Sequence, residues 1–387
     1  MSDWSLALHP SIADIPADAW DACAGDDNPF VSHAYLGCLE DSGSASARTG
    51  WLPRHARLIA PDGRTAAVVP LYLKSHSWGE YVFDQAWARA FQQAGGAYYP
   101  KMQGAVPFAP VPGRRLMIRP DLAESAPEIT RALAGALQQA CAELDLSSVH
   151  VTFCTLQERE QLADAGWLAR SGIQFHWHNQ GYATFDDFLG ALASRKRKSV
   201  RRERRDAQTA GLMFRTLQGS AITSDHWKAF YRFYCATIDR KWGSAYLTPA
   251  FFPLLSERLG DRVVLMIAEH EGTPVAGALN LMGRDTLYGR NWGCEGDWPF
   301  LHFELCYYRA IEFAIEHGLA RVEAGAQGEH KIQRGYVPVE TASAHWIAHP
   351  GLRAAVAEYL DHETPAVRAE MAELGTLSPY RRDDGPD

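Results

Sequence analysis

The chain has 387 residues, of which 47% are hydrophobic and 22% charged, and its formal net charge is −8. This composition, with 12 Trp, 15 Tyr and 16 Phe, is typical of a soluble globular protein and excludes a disordered chain. No apolar run approaches the roughly 20 residues of a membrane-spanning helix, and the first residues do not resemble a signal peptide. Because globular domains usually take roughly 100–200 residues, we expect two domains.

Cysteine usage indicates the compartment. The seven cysteines, at positions 23, 38, 141, 154, 235, 294 and 306, are scattered and include no C-x-x-C pair. Such a set is typical of free thiols in a reducing compartment, without a disulfide framework or a zinc site. The sequence therefore predicts a cytoplasmic protein that binds no metal.

Both halves of the chain contain a predicted β-hairpin whose turn is an acidic residue followed by glycine. Glycine supplies the positive φ that a tight hairpin turn needs. The strands are predicted over Ala56–Ala60, Thr65–Leu73, Val263–Ala268 and Pro274–Met282, and the turns are Asp62-Gly63 and Glu271-Gly272. The repetition indicates an internal duplication.

A helix followed by an apolar strand also occurs in each half. The predicted pairs are Pro127–Glu143 with Ser148–Phe153, and Pro299–His317 with Ala320–Ala326. Strands that alternate with helices favour an α/β sandwich. We expect two related domains, over residues 1–170 and 171–380, with the boundary near Arg170–Gln180.

In the first half, the segments GEYVFDQAW and YYPKMQGAVPF combine polar residues with aromatic ones. Most of these residues are expected to be structural. Asp84, Tyr99 and Lys101 are the candidates for contact with an acceptor substrate. The alternating pair His176 and His178 is interpreted as a polar strand face and not as a metal site.

The segment Arg195–Arg205 carries a net charge of +7, which leaves −15 on the rest of the chain. It is predicted to lie within a helix that Asp186 or Asp187 caps and Gly211 ends. One row of basic side chains along this helix suits the binding of an anion, such as a phosphate of a nucleotide, CoA or RNA. The alternative interpretation is a charged helix face that contacts only solvent. The candidate phosphate ligands are Arg197, Arg201, Arg202 and Arg205.

On the predicted helix Pro299–His317, Glu304 falls within the apolar stripe. A buried carboxylate is costly unless it is paired, and burial raises its pKa towards that of a useful base. Two interpretations stay open at this point. Glu304 is either a catalytic base or half of a buried ion pair with an arginine.

The strand Ala320–Ala326 is followed by GAQGEHKIQRGY, a glycine-rich turn crowded with polar groups. Open α/β sheets place ligands at the carboxyl ends of their strands, so this turn is the predicted centre of the site. Its candidate residues are Glu323, Gln327, His330, Lys331 and Arg334. The preceding strand LYGRNWG adds Arg290, Asn291 and Trp292 as candidates.

Several of these segments resemble a known family. The basic helix and the stretches NPFVSHAYL, GEYVFD, LHFELCYYRAIEFAIEHGL and GAQGEHK are similar to the FemAB-like proteins, in the Fem-type branch of the GNAT superfamily. The resemblance covers nearly the whole chain. It implies two tandem GNAT-like domains and transfer of an acyl or aminoacyl group to an amine. It also places Lys331 at the family's lysine near the transferred carbonyl, and Glu323 at its acidic strand residue.

The resemblance leaves the donor open. Fem enzymes take the aminoacyl group from aminoacyl-tRNA, whereas other GNAT enzymes hold acyl-CoA in an R/Q-x-x-G-x-G/A loop. Here Arg290–Glu295 begins that pattern and departs from it at the last position, and Gln92–Ala97 fits it but lies in the other half. The absence of the loop favours an aminoacyl-tRNA donor.

The expected enzyme transfers the group directly to a small-molecule or peptide amine, without a covalent intermediate. Glu304 or Glu323 would accept the proton, with His330 in reserve, and Lys331 would stabilise the oxyanion. No cofactor is expected to be bound permanently, and aminoacyl-tRNA or acyl-CoA would be the co-substrate. The alternatives are a CoA-dependent N-acetyltransferase and a non-catalytic RNA- or anion-binding protein. The predicted donor ligands are Arg197, Arg201, Arg202, Arg205, Arg290, Asn291, Trp292, Gln327 and Arg334.

Overall fold

A computed structural model describes residues 4–239, 245–325 and 328–381. The chain forms two compact units, one of Met1–Gly172 with Glu340–Ala369 and the other of Ile173–Val339 with Glu370–Asp387. Each unit thus includes a segment from the opposite half of the sequence. Whether residues 1–170 and 171–380 are also domains that fold on their own stays a prediction. Within the described ranges, no helix is both long enough and apolar enough to cross a membrane.

The first unit combines strands and helices from the start of the chain with a strand, β15, from near its end. Its strands are β1 (Ser5–His9), β2 (Trp51–Pro53), β3 (His55–Ile59), β4 (Thr65–Val69), β5 (Leu71–Lys74), β6 (Lys101–Gly104), β7 (Met117–Ile118), β8 (Ser148–Cys154) and most of β15 (Val337–Ile347). Its helices are α1 (Ala17–Ala24), α2 (His33–Asp41), α3 (Gln85–Gln93), α4 (Ala126–Glu143), α5 (Leu156–Asp164) and most of α12 (Pro350–Thr376). The strand orders are β1-β3-β4-β7 and β15-β8-β6-β5-β2.

The predicted elements of the first half are present. The hairpin of β3 and β4 turns at Gly63, whose φ is +83°. Pro70 separates β4 from β5, because proline has no N–H to donate to a strand ladder. Helix α4 buries the residues Ile129, Leu133 and Leu137, which recur at helical spacing, in the same core as the strand residues of β8.

The second unit has one sheet. Its strands are β9 (Leu168–His178, from residue 173), β10 (Leu212–Gln218), β11 (Val263–His270), β12 (Thr273–Met282), β13 (Thr286–Cys294) and β14 (Arg321–Glu323), in the order β10-β11-β12-β13-β14-β9. Its helices are α6 (Phe185–Ala191), α7 (Ser194–Gln208), α8 (Ser224–Asp239), α9 (Phe251–Leu259), α10 (Leu301–Phe303) and α11 (Arg309–Glu316). The predicted hairpin is confirmed in β11 and β12, where Glu271 and Gly272 have φ of +49° and +76°.

The basic segment differs from its prediction in one respect. It does not share a helix with the apolar residues before it, because the backbone of Leu192 is extended between α6 and α7. The cap is Thr184, whose side chain accepts from the N–H of Asp187 at the start of α6. Neither Asp186 nor Asp187 caps α7, which begins at Ser194.

The duplication is visible in one repeated pairing. Strands β6 and β8 pair in parallel, and so do β13 and β14. In each unit a β-hairpin precedes the parallel pair, and the chain between its two strands includes a helix. In the second unit the pairing covers Thr286–Tyr288 against Arg321–Glu323 only. Strand β13 then continues to Cys294, whereas β14 ends at Glu323. The α/β class and the tandem duplicated arrangement are confirmed.

Candidate active site

A π-helical turn interrupts the helix that follows β13. The helix begins as α10, continues as the π-turn Glu304–Tyr308 and ends as α11. It starts later than predicted, since Phe300 has a left-handed φ of +58°. A π-turn adds a residue to one helical turn and is frequent at functional sites. Here three of its side chains, Glu304, Tyr307 and Tyr308, reach α7 and the segment that carries Lys331.

Glu304 is fully buried and held by arginines. Its two oxygens accept from Arg204 of α7 at 3.1 and 3.2 Å, and Arg309 forms an ion pair with it at 3.2 Å. Arg204 also donates to Glu312 at 3.0 Å. Two guanidinium groups thus supply the counter-charge of this buried carboxylate. Of the two interpretations of Glu304, the geometry favours the buried ion pair.

Glu203, the single acidic residue of the basic segment, points inwards and binds Arg334. The guanidinium donates to both of its oxygens at 3.1 Å, and the hydroxyl of Tyr308 donates to it as well. Nη1 of Arg334 donates to the carbonyl of His330 at 2.7 Å, and the guanidinium lies 3.4 Å from the ring of Phe303. Arg334 is thus largely buried and engaged within the unit, and its predicted contact with the donor stays a prediction.

The other arginines of α7 face outwards. Val200, Glu203 and Ala207 form the buried face, whereas the side chains of Arg201 and Arg205 are 58% and 67% exposed. Arg197, Arg201 and Arg205 follow at intervals of four residues and therefore form one row along the helix. Arg202 is also exposed. The four predicted phosphate ligands thus lie on the accessible side of α7.

Lys331 lies in a short 3₁₀ helix, Glu329–Arg334, and is only 1% exposed. In the part of the chain that the structure describes, its Nζ makes one hydrogen bond, to the carbonyl of Gly325 at 3.0 Å. Burial lowers the pKa of Lys331 to about 8. Burial also raises the pKa of the neighbouring Cys306 thiol, so the thiol stays neutral. A buried ammonium bound to one neutral carbonyl keeps donors for a further oxygen.

Aromatic side chains pack around His330, the residue before Lys331. The hydroxyl of Tyr307 lies 2.8 Å from Nε2 of His330, whose pKa is lowered by burial and by the charges of Arg334 and Lys331. The rings of Phe303 and Tyr307 stack at 5.9 Å. Trp292 lies 5.3 Å from the ring of His302. Such a group of rings offers a surface on which a nucleic-acid base can stack.

Three polar side chains form a row across the strands of the second unit. Tyr288 of β13 is paired with Glu323 of β14, and Glu323 is paired with His176 of β9. All three are at least nine-tenths buried. Burial lowers the pKa of His176 to about 3, and the positive charges of Arg321 and Lys331 contribute. The row therefore places a carboxylate and a neutral imidazole near Lys331.

The remaining predicted donor residues lie on β13 or outside the described residues. The pairing of β12 with β13 shifts at Asn280, opposite Gly289, and this bulge includes Arg290. Asn291 and Trp292 follow it, and both are half-buried. Gln327 lies outside the residues that the structure describes.

The predicted acceptor residues of the first unit belong to a buried network. Lys101 is fully buried and donates to Glu80 at 2.8 Å, to Ser77 at 2.9 Å and to Asp84. Burial alone would raise the pKa of Asp84, but Lys101 and His150 hold it below its usual range. Asp84 and Lys101 thus form a buried ion pair inside the unit, and their predicted contact with an acceptor stays a prediction. Tyr99 is half-buried, with its hydroxyl 2.8 Å from that of Ser77.

Two histidines of this unit are expected to destabilise it in acid. The Nδ1 atoms of His150 and His345 lie 2.7 Å apart, so one ring must donate and the other accept. Burial lowers the pKa of His150 to about 3 and that of His345 well below its usual value. The unfolded chain protonates both near pH 6.5, so it binds more protons than the fold below about pH 6. The free energy of unfolding should then fall by up to about 1.4 kcal/mol per pH unit for each histidine.

Thermal unfolding between about pH 7 and pH 5 measures this loss. In His345→Gln, the amide can still donate to His150 while one titrating group is removed. The decline of the melting temperature with acid should therefore be shallower in this variant. Equal slopes in the two proteins would show that His345 does not contribute.

The fold and the site define the class of the protein. A hairpin followed by a parallel pair of strands is found in duplicated form on one chain, and the segment after the second copy contains the buried Lys331. This is a tandem GNAT-like acyltransferase architecture. The crystal structure of FemX is similar to it with a TM-score of 0.57 and 12% identity, covering 91% of this chain and 100% of that one.

Two further solved structures are similar. One is the C-terminal domain of a protein named as a lysylphosphatidylglycerol synthetase from Agrobacterium fabrum, with a TM-score of 0.53, 11% identity and coverage of 91% and 97%. The other is a tandem GNAT protein from the clavulanic acid biosynthesis pathway, with a TM-score of 0.49, 10% identity and coverage of 90% and 99%. At such identities the likeness to FemX and to the synthetase domain establishes the fold.

The family follows from the sequence itself. The model of the FemAB-like family, described as peptidoglycan biosynthesis/recognition, matches residues 11–382. The chain belongs to this family, and the resemblance seen in its motifs is confirmed. No curated protein sequence matches the chain significantly.

Sequence reasoning missed three residues of the site. Glu203 and Arg204 were interpreted as part of a charged face. The apolar residues Val200 and Ala207 mark the buried side of the helix, and Glu203 and Arg204 lie between these two positions. His176 was interpreted as a polar strand residue without a role. Its pairing with Glu323 depends on a contact between distant segments, which strand alternation alone does not give.

Proposed function

We propose that this protein transfers an aminoacyl group from aminoacyl-tRNA to a primary amine. The observation that carries the proposal is Lys331, a buried ammonium whose described hydrogen bond goes to one backbone carbonyl. A preorganised donor in a water-poor site stabilises the oxyanion that forms when an amine attacks an ester. Membership of the FemAB-like family supports the same chemistry.

The surroundings of α10 argue against CoA as the donor. GNAT enzymes that use CoA hold its pyrophosphate at a helix N-terminus, where backbone N–H groups attract anions. Here that approach carries Glu295 and Asp297, both exposed, whose negative charges repel an anion. In the first unit, Gln92–Ala97 begins at the carboxyl end of α3, where the helix dipole repels anions.

Within this proposal the residues have distinct tasks. The exposed row of α7 binds phosphates of the tRNA, and the rings around His330 stack on its terminal base. Lys331 binds the carbonyl oxygen of the ester. Glu323 accepts the proton of the amine, since Glu304 is held in its ion pair. The new N–C bond forms, the ester C–O bond breaks, and the ribose oxygen leaves with a proton.

Donor consumption tests the proposal directly. The purified protein is incubated with a complete set of aminoacyl-tRNAs or with acetyl-CoA, and with a lysine-containing peptide as acceptor. Mass spectrometry should find an aminoacyl amide with at least one tRNA and no acetylated product. An acetylated peptide would make the protein a CoA-dependent N-acetyltransferase. If the protein binds tRNA but forms no product with any amine acceptor, it is a non-catalytic RNA-binding protein.

The outer row of α7 should control donor affinity. In Arg201→Glu with Arg205→Glu, two cations become anions on the exposed side of the helix, so tRNA should bind more weakly while the fold is kept. The log–log salt dependence of tRNA binding should become shallower by about 0.7 for each phosphate that the helix no longer binds. The measurement is tRNA affinity at several salt concentrations.

The matched control is Arg89→Glu with Arg131→Glu, which makes the same charge change at exposed positions of the first unit. It should change affinity much less. Equal losses in the two variants would indicate a general charge effect and would remove α7 from the donor site.

A further inference from the structure

The segment that carries Lys331 is short and lies between two glycines. It is the 3₁₀ helix Glu329–Arg334, of six residues, and the flanking Gly328 and Gly335 have φ of +123° and +97°. Hydrogen bonds inside a 3₁₀ helix have poor geometry, and a glycine leaves the backbone free to rotate. The direction of the Lys331 side chain therefore depends on contacts that reach the segment from the rest of the unit.

The guanidinium of Arg334 provides such a contact. Its Nη1 donates to the carbonyl of His330 at 2.7 Å, and this carbonyl belongs to the same peptide group as the N–H of Lys331. That N–H donates in turn to the carbonyl of Gly328 at 2.9 Å. Because a peptide group is planar, the two hydrogen bonds together fix its orientation, and with it the point from which the Lys331 side chain extends.

Arg334 is itself held by the basic helix α7. Nε and Nη2 of Arg334 each donate to one oxygen of Glu203 at 3.1 Å, and the hydroxyl of Tyr308 donates to the same carboxylate. Glu203 and Arg334 are 7% and 8% exposed. Compared with well-packed apolar side chains, a buried ion pair adds little to stability, whereas two parallel hydrogen bonds give a guanidinium one orientation. The pair therefore contributes geometry more than stability.

Helix α7 thus has two faces that serve one site. In the proposed function, its exposed row with Arg201 and Arg205 binds phosphates of the donor. On its buried side, Glu203 holds the arginine that orients the segment of Lys331. One helix therefore connects the part of the site that binds the donor with the part that acts on its acyl group.

We propose that Glu203 and Arg334 are positioning residues for Lys331: the carboxylate orients the guanidinium, and the guanidinium fixes the peptide group from which the ammonium reaches the ester carbonyl. This inference rests on the proposed aminoacyl transfer. Neither residue acts on the reacting atoms directly. The pair should therefore affect the rate of transfer only while Lys331 is present.

A double-mutant cycle tests this dependence. Glu203→Gln keeps the shape of the side chain but lacks the charge that holds Arg334. Single-turnover transfer should slow by about tenfold to a hundredfold, the usual effect of a misplaced catalytic group, while tRNA affinity stays within about twofold. In the Lys331→Met background, the same change should alter the rate by no more than about twofold.

A second variant and a matched control guard against a general loss of folding. Arg334→Lys keeps the positive charge, but an ammonium lacks the rigid fork that bonds Glu203 and the carbonyl of His330 together. It should slow transfer as Glu203→Gln does. Glu304→Gln breaks the neighbouring buried ion pair of α7 and should leave the rate close to normal. All rates are measured at low temperature, below the melting temperature of each variant.

A spectroscopic measurement needs no transfer reaction. In protein labelled with ¹³C in its lysine side chains, the Cε resonance of Lys331 is identified by its loss in Lys331→Met. Because the neighbouring Nζ donates to the carbonyl of Gly325, the resonance should shift when the segment is released in Glu203→Gln or Arg334→Lys. It should keep its position in Glu304→Gln.

The outcomes separate this proposal from the proposed function. Equal losses of rate with and without Lys331, or an unshifted Lys331 resonance, would overturn the positioning role even if aminoacyl transfer is observed. A loss of tRNA affinity that accounts for the whole effect of Arg334→Lys would make Arg334 a donor ligand instead. A shifted resonance in a protein that consumes no aminoacyl-tRNA would support the positioning of Lys331 and overturn the proposed donor.

Discussion

Replacing Lys331 by methionine is expected to lower turnover by about 10²–10³, the usual loss when one oxyanion donor is removed. Methionine fills a similar volume but donates no hydrogen bond. Binding of the tRNA should change little, because Lys331 acts on the carbonyl and not on the phosphates. The measurements are single-turnover transfer rates and tRNA affinity in the same variant.

The same lysine predicts a pH dependence. Its pKa is lowered to about 8 by burial, and the ammonium is the form that donates. Turnover should therefore decline above about pH 8, by roughly tenfold per unit, as the ammonium is lost. Lys331→Met should lack this decline.

The stability of Lys331→Met distinguishes a catalytic from a structural lysine. A buried charge with a lowered pKa costs stability at neutral pH, so an apolar replacement should leave the melting temperature unchanged or raise it. Lys228→Met, at a 72% exposed side chain, is the control. Full turnover in Lys331→Met would remove Lys331 from the chemistry.

Replacing Glu304 by glutamine is expected to destabilise the protein by about 3–5 kcal/mol, because Arg204 and Arg309 lose their shared buried counter-charge. For domains of this size, each kcal/mol lowers the melting temperature by about 2–4 °C. The free energy of unfolding from denaturant titration, together with thermal unfolding, measures the loss.

Two comparisons make the result for Glu304 specific. Glu312→Gln removes the other, 33% exposed partner of Arg204 and should cost much less. Transfer by folded Glu304→Gln, measured at low temperature, should stay close to normal. A large loss of rate with an unchanged melting temperature would instead identify Glu304 as the base.

Local patterns in the sequence predicted the elements of the fold well. The acidic-glycine turns and the helices that precede β8 and β14 depend on short-range preferences, and these agree with the fold. The break at Leu192 was missed, because the apolar stripe before it and the basic run after it are both compatible with one continuous helix. The π-turn at Glu304 was also missed, because the spacing of apolar residues along a helix does not indicate an inserted residue.

The site was predicted less completely, and the reason is physical. Lys331 and Glu323 lie next to glycines at a strand end, where local sequence is informative. Arg334 and Lys101 belong to ion pairs whose partners, Glu203 and Asp84, are distant or unremarkable in sequence. Whether a charged side chain meets a ligand or an internal partner is decided by tertiary packing, which composition and spacing do not contain.

The exchange of segments between the two units has a consequence during synthesis. Strand β8 of the first unit pairs with the Ala342–Ile347 part of β15, which is made after almost the whole second unit. Ribosomes add about 5–20 residues per second, so β8 waits on the order of ten seconds or longer for its neighbour. The first unit therefore completes its sheet only after β15 has been made. The emerging chain holds an incomplete sheet edge until β15 has been made, which is a stage at which a chaperone can bind it.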